Sequence, residues 1–148
     1  MSKKIVIAGA GHAAGQTAIS LRQGGYKGSI IIVGEEKYLP YQRPALSKKF
    51  LAGEVDQERL LVRHEKFYAE HAIEMRLSTH VEAIDRDQHQ VALNNGEHLS
   101  YDRLVLAVGA DPRVFPAEGS GAASGRLALP RLRSSSVRTS LAFASEIG

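Results

Sequence analysis

The chain has 148 residues, of which 43% are hydrophobic and 24% charged, the composition of an ordinary globular protein of one domain. It contains no cysteine, so disulfides, zinc–thiolate sites and redox dithiols are excluded. The formal charge of +3 is spread along the sequence, and no apolar run approaches the roughly 18 residues of a membrane helix. We therefore expect a cytoplasmic protein with no membrane span and no nucleic-acid partner.

The N-terminal segment predicts a β-α-β unit. The apolar residues 5–8 are mostly β-branched, which is typical of a parallel strand covered on both faces. Small and apolar residues then recur at helical spacing over 12–23, and Gly24-Gly25 ends the helix. A second strand is predicted at 29–33, and the short crossover makes the two strands parallel and the connection right-handed.

The middle of the chain predicts shorter elements. A helix from residue 44 or 45 to 52 begins with proline in its first turn and ends at Gly53, and a second helix at 64–71 precedes a strand at 73–77. Alternating residues with an Asn95-Gly96 turn then indicate a small antiparallel β-meander, followed by a buried strand at 103–108. The predicted fold class is α/β, a Rossmann-like parallel sheet with a β-α-β N-terminus plus the meander.

Residues 1–116 form the predicted dinucleotide-binding domain, and the composition changes after Pro116. Residues 117–125 have the composition of a flexible linker, and a helix over 136–147 is the one element that the tail indicates. We expect residues 117–148 to be a linker and tail that bury little surface.

A glycine-rich turn between the first strand and the first helix matches the pattern G-x-G-x-x-G/A. Gly9 permits the tight turn, Gly11 lets a pyrophosphate approach the backbone, and Ala14 is small enough for close packing of helix on strand. Glu35 ends the second strand, where a carboxylate accepts hydrogen bonds from ribose hydroxyls and repels a 2′-phosphate. The pattern predicts an ADP moiety such as that of FAD or NAD, although glycine and alanine also fill ordinary tight turns.

Several stretches together resemble the start of ferredoxin and rubredoxin reductases of the putidaredoxin reductase type, which are flavoproteins with two dinucleotide-binding folds. These stretches are VIAGAGHAA, IIIVGEE, PYQRPALSKKFLAG, VEAIDRD and LSYDRLVLAVGADPR, and the resemblance covers residues 4–116. It implies that the N-terminal fold binds FAD. It also implies that NAD(P)H binds a second fold and that an iron–sulfur protein is the electron acceptor.

The resemblance also implies roles for individual residues. The FAD pyrophosphate would be lined by the glycine turn, the adenosine ribose held by Glu35, the adenine met by the backbone of Val81, and the cofactor packed against the turn at Ala107 and Gly109. Two basic residues, Arg43 and Lys48, would lie near the pyrophosphate and the isoalloxazine. The implied cofactor-binding residues are Gly9, Gly11, Ala13, Ala14, Glu35, Arg43, Lys48, Val81, Ala107 and Gly109.

The sequence departs from the family pattern at two positions and leaves two interpretations open. Val108 stands where the family has a threonine, which removes a hydroxyl that orients the turn, and Ala45 replaces a second proline. Lys48 is either a solvated surface lysine or a fixed positive charge that raises the flavin potential.

The six histidines match no common metal-ligand spacing, and no acid–base pair or catalytic triad is indicated, so no metal or catalytic side chain is expected.

A full reductase of this type is far longer, and residues 117–148 contain no second glycine fingerprint. We therefore expect a natural truncation or a frame-altered product in which the FAD domain is incomplete at its C-terminus. Two functions follow: the FAD-binding portion of an electron-transfer flavoenzyme, or a non-catalytic fragment that binds ADP-type ligands or needs a partner chain.

Overall fold

The computed structural model describes residues 3–110, and the linker and helix predicted after Pro116 lie outside this range. The strands are β1 (Lys4–Ala8), β2 (Ser29–Val33), β3 (Ile73–Arg76), β4 (Val81–Asp85), β5 (Gln90–Leu93), β6 (His98–Ser100) and β7 (Arg103–Leu106). The α-helices are α1 (His12–Gln23) and α2 (Glu65–Glu70). No helix among residues 3–110 is both long enough and apolar enough to cross a bilayer.

The main sheet has four parallel strands in the order β3-β2-β1-β7. β1 lies inside the sheet, and its residues Val6 and Ile7 are fully buried, as expected for a strand covered on both faces. β4, β5 and β6 form a separate antiparallel sheet, with Gly96 at positive φ (+82°) in the turn between β5 and β6. The predicted α/β fold with a β-α-β N-terminus and a β-meander is confirmed.

The two faces of the parallel sheet are covered differently. On one face, α1 and α2 pack through Ala14, Ala18 and Tyr68 against isoleucines of β1, β2 and β3. On the other face, the meander packs through Val91, Leu93 and Leu99 against β1 and β2. The sheet thus has a helical layer and a β layer, and its strand ends remain at the edges where loops can meet a ligand.

Arg22, near the end of α1, fastens the helical layer to two neighbouring loops. Its guanidinium donates to four backbone carbonyls at 2.7–2.9 Å, those of Tyr26, Gly28, His71 and Ala72. The helix ends as predicted, with Gly25 at φ +80° and the Tyr26 amide donating to the Leu21 carbonyl at 2.9 Å. The clamp holds the end of α1 and the end of α2 against the start of β2.

The prediction of a regular helix from residue 44 or 45 to 52 is wrong. The chain forms a 3₁₀ turn at Arg43–Ala45 and then a π-helical turn at Leu46–Phe50, in which Lys48 has non-helical angles (φ −123°, ψ −108°). One side chain of this segment, Leu46, is buried, and it packs with Tyr41 and Leu60. Tertiary packing of this kind overrides helix propensity in so short a segment.

The predicted end of that segment at Gly53 is confirmed. Gly53 has φ +73°, its amide donates to the Phe50 carbonyl at 3.0 Å, and the Glu54 amide donates to the Lys49 carbonyl at 2.9 Å. This pair of bonds is the arrangement in which a glycine in the left-handed region closes a helical turn.

Candidate functional site

The candidate site lies at the carboxyl edge of the parallel sheet, where β1, β2 and β7 end side by side. β1 pairs with β2 on one side and with β7 on the other, so the chain order reverses across β1. Loops that leave such a switch point in opposite directions open a crevice, and ligands of doubly wound sheets bind there. The loops here are the glycine turn after β1, the acidic loop after β2 and the turn after β7.

Gly9 is the position at which the fold itself requires glycine. Its φ is +106°, and its amide donates to the Val33 carbonyl at 2.7 Å, which ties the turn to the end of β2. A Cβ atom at Gly9 would lie 2.2 Å from the Ala107 carbonyl oxygen. Because that oxygen belongs to backbone hydrogen-bonded to β1, with the Ala107 amide donating to the Ala8 carbonyl at 2.8 Å, it cannot yield. Gly9 thus brings the first and last loops of the site into contact.

Gly11 is the N-cap of α1, and here the fold does not require glycine. Its φ of −83° suits any residue, and no described residue beyond its own neighbours in the chain lies within 4 Å of the place that its Cβ would occupy. Its first turn has no acidic residue, and no side chain in the described part of the protein caps it. The amides of the first turn and the positive end of the helix dipole are therefore left without a capping side chain from residues 3–110, which suits a bound anion such as a pyrophosphate.

Ala13 and Ala14 begin α1 with different surroundings. Ala13 is exposed, and its carbonyl accepts a hydrogen bond from the Thr17 hydroxyl at 2.8 Å. Ala14 is fully buried in the cluster of α1 with β1 and β2. The predicted close packing of helix on strand through Ala14 is confirmed, whereas contact of either residue with a cofactor stays a prediction.

Gly34 brings the acidic loop to the glycine turn. A Cβ atom at Gly34 would lie 2.1 Å from the Ala10 Cβ, so only glycine permits this approach. The Gly34 amide donates to the Arg76 carbonyl at 2.8 Å, which fixes the end of β2 against β3. Glu35 follows directly and is exposed at this edge, where a carboxylate can accept hydrogen bonds from a ribose.

Glu36 is part of the candidate site, although it is not among the residues predicted from the sequence. Its carboxylate accepts a hydrogen bond from the Tyr41 hydroxyl at 2.8 Å and pairs with the Arg43 guanidinium at 2.6 Å. Arg43 also lies over the Tyr41 ring, 5.1 Å from its centroid. These contacts join the start of the loop after β2 to its end at the 3₁₀ turn, and they hold the Arg43 side chain beside Glu36.

The last two residues with predicted roles before the β7 turn, Lys48 and Val81, lie on different secondary-structure elements. Lys48 is exposed on the π-helical turn, and its place beside a flavin stays a prediction. Val81 begins β4, just before an irregularity in the pairing of β4 with β5. The segment before Val81 runs beside the acidic loop, because the Thr79 amide donates to the Gly34 carbonyl at 2.9 Å and the Ser78 amide to the Glu36 carbonyl at 3.2 Å.

The turn after β7 contains the last two predicted residues. Ala107 is partly buried and contacts Gly9 through its backbone, and Gly109 has φ +72° with no described residue beyond its own chain neighbours within 4 Å of its Cβ position. Between them, Val108 is 74% exposed. The structure therefore brings together the glycine turn, Glu35, the approach to Val81 and the Ala107 turn, and it leaves Lys48 on a separate turn.

Two groups near the site have shifted pKa values. The pKa of Arg76 is raised, first by its hydrogen bond and ion pair with Glu74 and further by Glu97, so its charge is already neutralised by neighbours. Burial raises the pKa of Tyr68 to about 12, and the nearby Arg63 opposes the shift. The Tyr68 hydroxyl is buried and has no hydrogen-bond partner among residues 3–110. Neither group is poised for proton transfer near neutral pH.

Comparison with known proteins agrees with this geometry. The profile of the pyridine nucleotide-disulphide oxidoreductase family matches residues 3–138. The chain is 44% identical over 115 residues to a ferredoxin–NAD(P)⁺ reductase of Sphingomonas, a match that spans 78% of this chain and 28% of the relative. It is 44% identical over 112 residues to the putidaredoxin reductase of Pseudomonas putida, spanning 76% of this chain and 26% of the relative.

Solved structures show the same relationship. The reductase in a covalent putidaredoxin reductase–putidaredoxin complex superposes with a TM-score of 0.76 at 41% identity, over 82% of this chain and 30% of that chain. A ferredoxin reductase from Rhodopseudomonas palustris gives a TM-score of 0.72 at 44% identity, over 78% of this chain and 28% of that one. The chain thus spans less than a third of these relatives.

The matched family uses FAD as its cofactor. The match covers the β-α-β unit, the glycine turn, the acidic loop and the β-meander described above. On sequence and on fold, this chain belongs to the pyridine nucleotide-disulphide oxidoreductase family, among relatives of the ferredoxin, rubredoxin and putidaredoxin reductases.

Proposed function

We propose that this chain is the FAD-binding portion of an NAD(P)H-dependent flavoprotein reductase that passes electrons to a ferredoxin or rubredoxin. The observation that carries the proposal is that, within residues 3–110, nothing occupies the place of a Gly11 side chain and no side chain caps the helix end beside it. The protein's own packing does not explain a glycine there, whereas a pyrophosphate approaching the backbone does. The relatives' names, among them ferredoxin–NAD(P)⁺ reductase and rubredoxin–NAD⁺ reductase, support the electron-transfer role.

Each part of the site has a task in this proposal. The amides of the first turn of α1, preceded by Gly9 and Gly11, bind the pyrophosphate, and Arg43 adds a positive charge from the facing loop. Glu35 accepts hydrogen bonds from the adenosine ribose, and the backbone of Val81 meets the adenine. Ala13 and Ala14 line the pyrophosphate from α1, and Ala107 and Gly109 bound the crevice on the side of β7.

Bound FAD would supply the redox chemistry, accepting a hydride and releasing single electrons. Lys48, if it lies near the isoalloxazine, favours the anionic reduced ring by its charge. The domain assignment proposed with this function places the FAD-binding unit at 1–116 and the linker and tail at 117–148. The cytoplasmic location also remains a prediction.

The alternative is binding of an ADP-type ligand without turnover, either alone or with a partner chain. The observation that favours it is that, within residues 3–110, β1 is the single parallel strand that runs through a glycine turn directly into an α-helix. The described part of the chain therefore offers one dinucleotide site, and hydride transfer needs a nicotinamide held against the flavin at a second one.

Calorimetric titration of the full chain with FAD, ADP and 2′-phospho-ADP tests the proposal. We expect binding of FAD and ADP, and weaker binding of the 2′-phosphate because the Glu35 carboxylate repels it. A Glu35→Gln variant should narrow the difference between ADP and its 2′-phosphate. Absence of binding of both FAD and ADP would refute the proposal.

A turnover assay of the isolated chain tests the alternative function. We expect this polypeptide alone to reduce ferredoxin or ferricyanide with NAD(P)H at a negligible rate. Turnover well above that of free flavin, with no companion chain present, would exclude the purely binding function.

A further inference from the structure

The sequence GHAAGQ contains a further glycine, Gly15, that the glycine fingerprint does not require, and the structure shows what it contacts. Gly15 is buried on α1, and its amide donates to the Gly11 carbonyl at 3.1 Å, the bond that starts the helix. A Cβ atom at Gly15 would lie 2.7 Å from the Pro40 Cβ, 3.2 Å from the Pro40 Cγ and 3.3 Å from the Tyr68 hydroxyl. Real Cβ contacts are essentially never as short as the first of these.

Pro40 cannot move away from such a collision easily. Its side chain is fully buried, and its Cβ is part of a ring fixed to the backbone. The loop is also held from its far side, because the Val62 amide donates to the Pro40 carbonyl at 2.8 Å and the Gln42 amide donates to the Leu60 carbonyl at 2.8 Å. Tyr68 is also buried, and its hydroxyl borders the place that a Gly15 Cβ atom would occupy. Close approach of helix and loop at this point therefore depends on the missing side chain of Gly15.

This contact joins the two halves of the proposed pyrophosphate site. Gly15 is one helical turn beyond Gly11 and therefore sets the position of the helix end that faces the anion. Pro40 lies three residues before Arg43, on the loop that Glu36 closes by its bonds to Tyr41 and Arg43. A shift of the loop from α1 would carry Arg43 away from the helix end with little change in either element.

We propose that Gly15 is a positioning residue for ligand binding: its contact with Pro40 sets the separation between the N-terminus of α1 and Arg43, so that both act on the same pyrophosphate. The proposal rests on the proposed function, because it assumes that an ADP-type ligand binds at Gly11. It assigns the helix–strand packing to Ala14 and the helix–loop packing to Gly15.

The test compares four variants of the full chain by calorimetric titration with ADP and by thermal unfolding without ligand: Gly15→Ala, Pro40→Gly, Gly15→Ala/Pro40→Gly and the control Gln16→Ala. Gln16 is the exposed neighbour of Gly15 on α1, so its substitution changes the helix and spares the contact. We expect Gly15→Ala to lower the affinity for ADP at least about tenfold, since overpacking displaces the loop. Removing the Pro40 side chain in the double variant should restore much of that affinity, and Gln16→Ala should bind as the wild type does.

A second readout separates positioning from a general loss of stability. If Gly15 acts through Arg43, the Gly15→Ala substitution should reduce ADP affinity much less in an Arg43→Met background than in the wild type. Equal losses in the two backgrounds would contradict the positioning role.

The remaining outcomes are also decisive. Wild-type affinity in Gly15→Ala would overturn this proposal and leave the proposed function standing, whereas a wild-type chain that binds no ADP would overturn both. If Gly15→Ala does not fold, the double variant decides: a folded double variant that binds ADP supports the contact with Pro40, and one that fails to fold or to bind refutes it.

Discussion

The Nη2 atom of Arg43 lies 2.6 Å from the Oε1 atom of Glu36, so the basic residue expected beside the pyrophosphate is held by the acid next to the expected ribose ligand. The two neighbouring glutamates therefore have different surroundings. Glu35 is exposed at the strand edge, whereas the Glu36 side chain is 13% exposed and bonds both Arg43 and Tyr41. We therefore predict that Glu35 contributes to ligand binding and Glu36 to the stability of the loop.

Substitution of each glutamate should separate these roles. We expect Glu35→Ala to weaken binding of FAD or ADP-ribose by roughly 1.5–3 kcal/mol and to leave unfolding unchanged, since a charged acceptor is lost at the surface. Glu36→Ala should lower the free energy of unfolding by about 1–2 kcal/mol, mainly through the Tyr41 hydroxyl, because the half-exposed Arg43 contributes little. Calorimetry and urea unfolding measure the two effects. Unchanged affinity in Glu35→Ala would refute the ribose assignment.

Gly9→Ala should destabilise the fold by roughly 2–4 kcal/mol, because the new Cβ meets the Ala107 carbonyl oxygen and also has an unfavourable φ. Gly53→Ala is the control: Gly53 has positive φ, and among residues 3–110 nothing beyond its own chain neighbours lies within 4 Å of its Cβ position, so the variant should lose about 1 kcal/mol from the backbone angle alone. Urea unfolding of both variants isolates the collision. Equal losses would show that the two loops do not touch as described.

Arg22→Met should lower the free energy of unfolding by roughly 2–4 kcal/mol, since four partly buried or exposed carbonyls lose a charged donor. Arg59→Met, on an exposed side chain, is the control and should change it by less than about 0.5 kcal/mol. Urea unfolding measures both changes. A loss in Arg22→Met no larger than in the control would mean that water replaces the clamp without cost.

The raised pKa of Tyr68 predicts that the protein loses stability at high pH. Its pKa is near 10 when unfolded and about 12 in the folded protein, so the folded state holds the proton more tightly. Stability from this group is therefore present below pH 10 and is lost as the pH rises through 12, by an amount on the order of 2 kcal/mol. Tyr68→Phe should remove that loss and leave stability at pH 7 nearly unchanged, because the buried hydroxyl has no partner among the described residues. Parallel pH profiles for both proteins would contradict the shifted pKa.

If FAD binds with its ring near the turn at Leu46–Phe50, Lys48→Met should make the flavin harder to reduce, because a positive charge beside the reduced ring is lost. Redox titration of the FAD-loaded wild type and variant measures this, with Lys49→Met, the exposed neighbour, as the control. An identical midpoint potential in wild type and Lys48→Met would leave Lys48 as a solvated surface residue.

The sequence predicted those parts of the fold whose cause is local. The bounds of α1 and β2 follow from a change of period and from the Gly24-Gly25 pair, and the turn of the meander from Asn95-Gly96. The prediction of a helix at 44–52 was wrong because the conformation of this segment depends on packing of Leu46 against Tyr41 and Leu60, which local propensity does not encode.

The candidate site divides in the same way. A strand, a glycine turn and a helix in succession identify Gly9 and Gly11, because the motif is continuous in sequence. Gly15 and Glu36 were not predicted as part of the site. Gly15 contacts Pro40 and Glu36 pairs with Arg43, and both partners lie on a loop whose position against α1 is set by the tertiary fold. A glycine just after a complete fingerprint is the one sequence signal that points to such a contact.

The central claim, that the open space at Gly11 holds the pyrophosphate of FAD, is tested most directly by FAD titration of Gly11→Val beside thermal unfolding without ligand. Because no described residue beyond its own neighbours in the chain lies within 4 Å of that Cβ position and φ is ordinary, the variant should lose only about 1 kcal/mol of stability, the cost of replacing glycine at an N-cap. Its side chain fills the space at the helix end, so FAD affinity should fall at least about a hundredfold. Wild-type FAD affinity in a fully folded Gly11→Val protein would contradict the account.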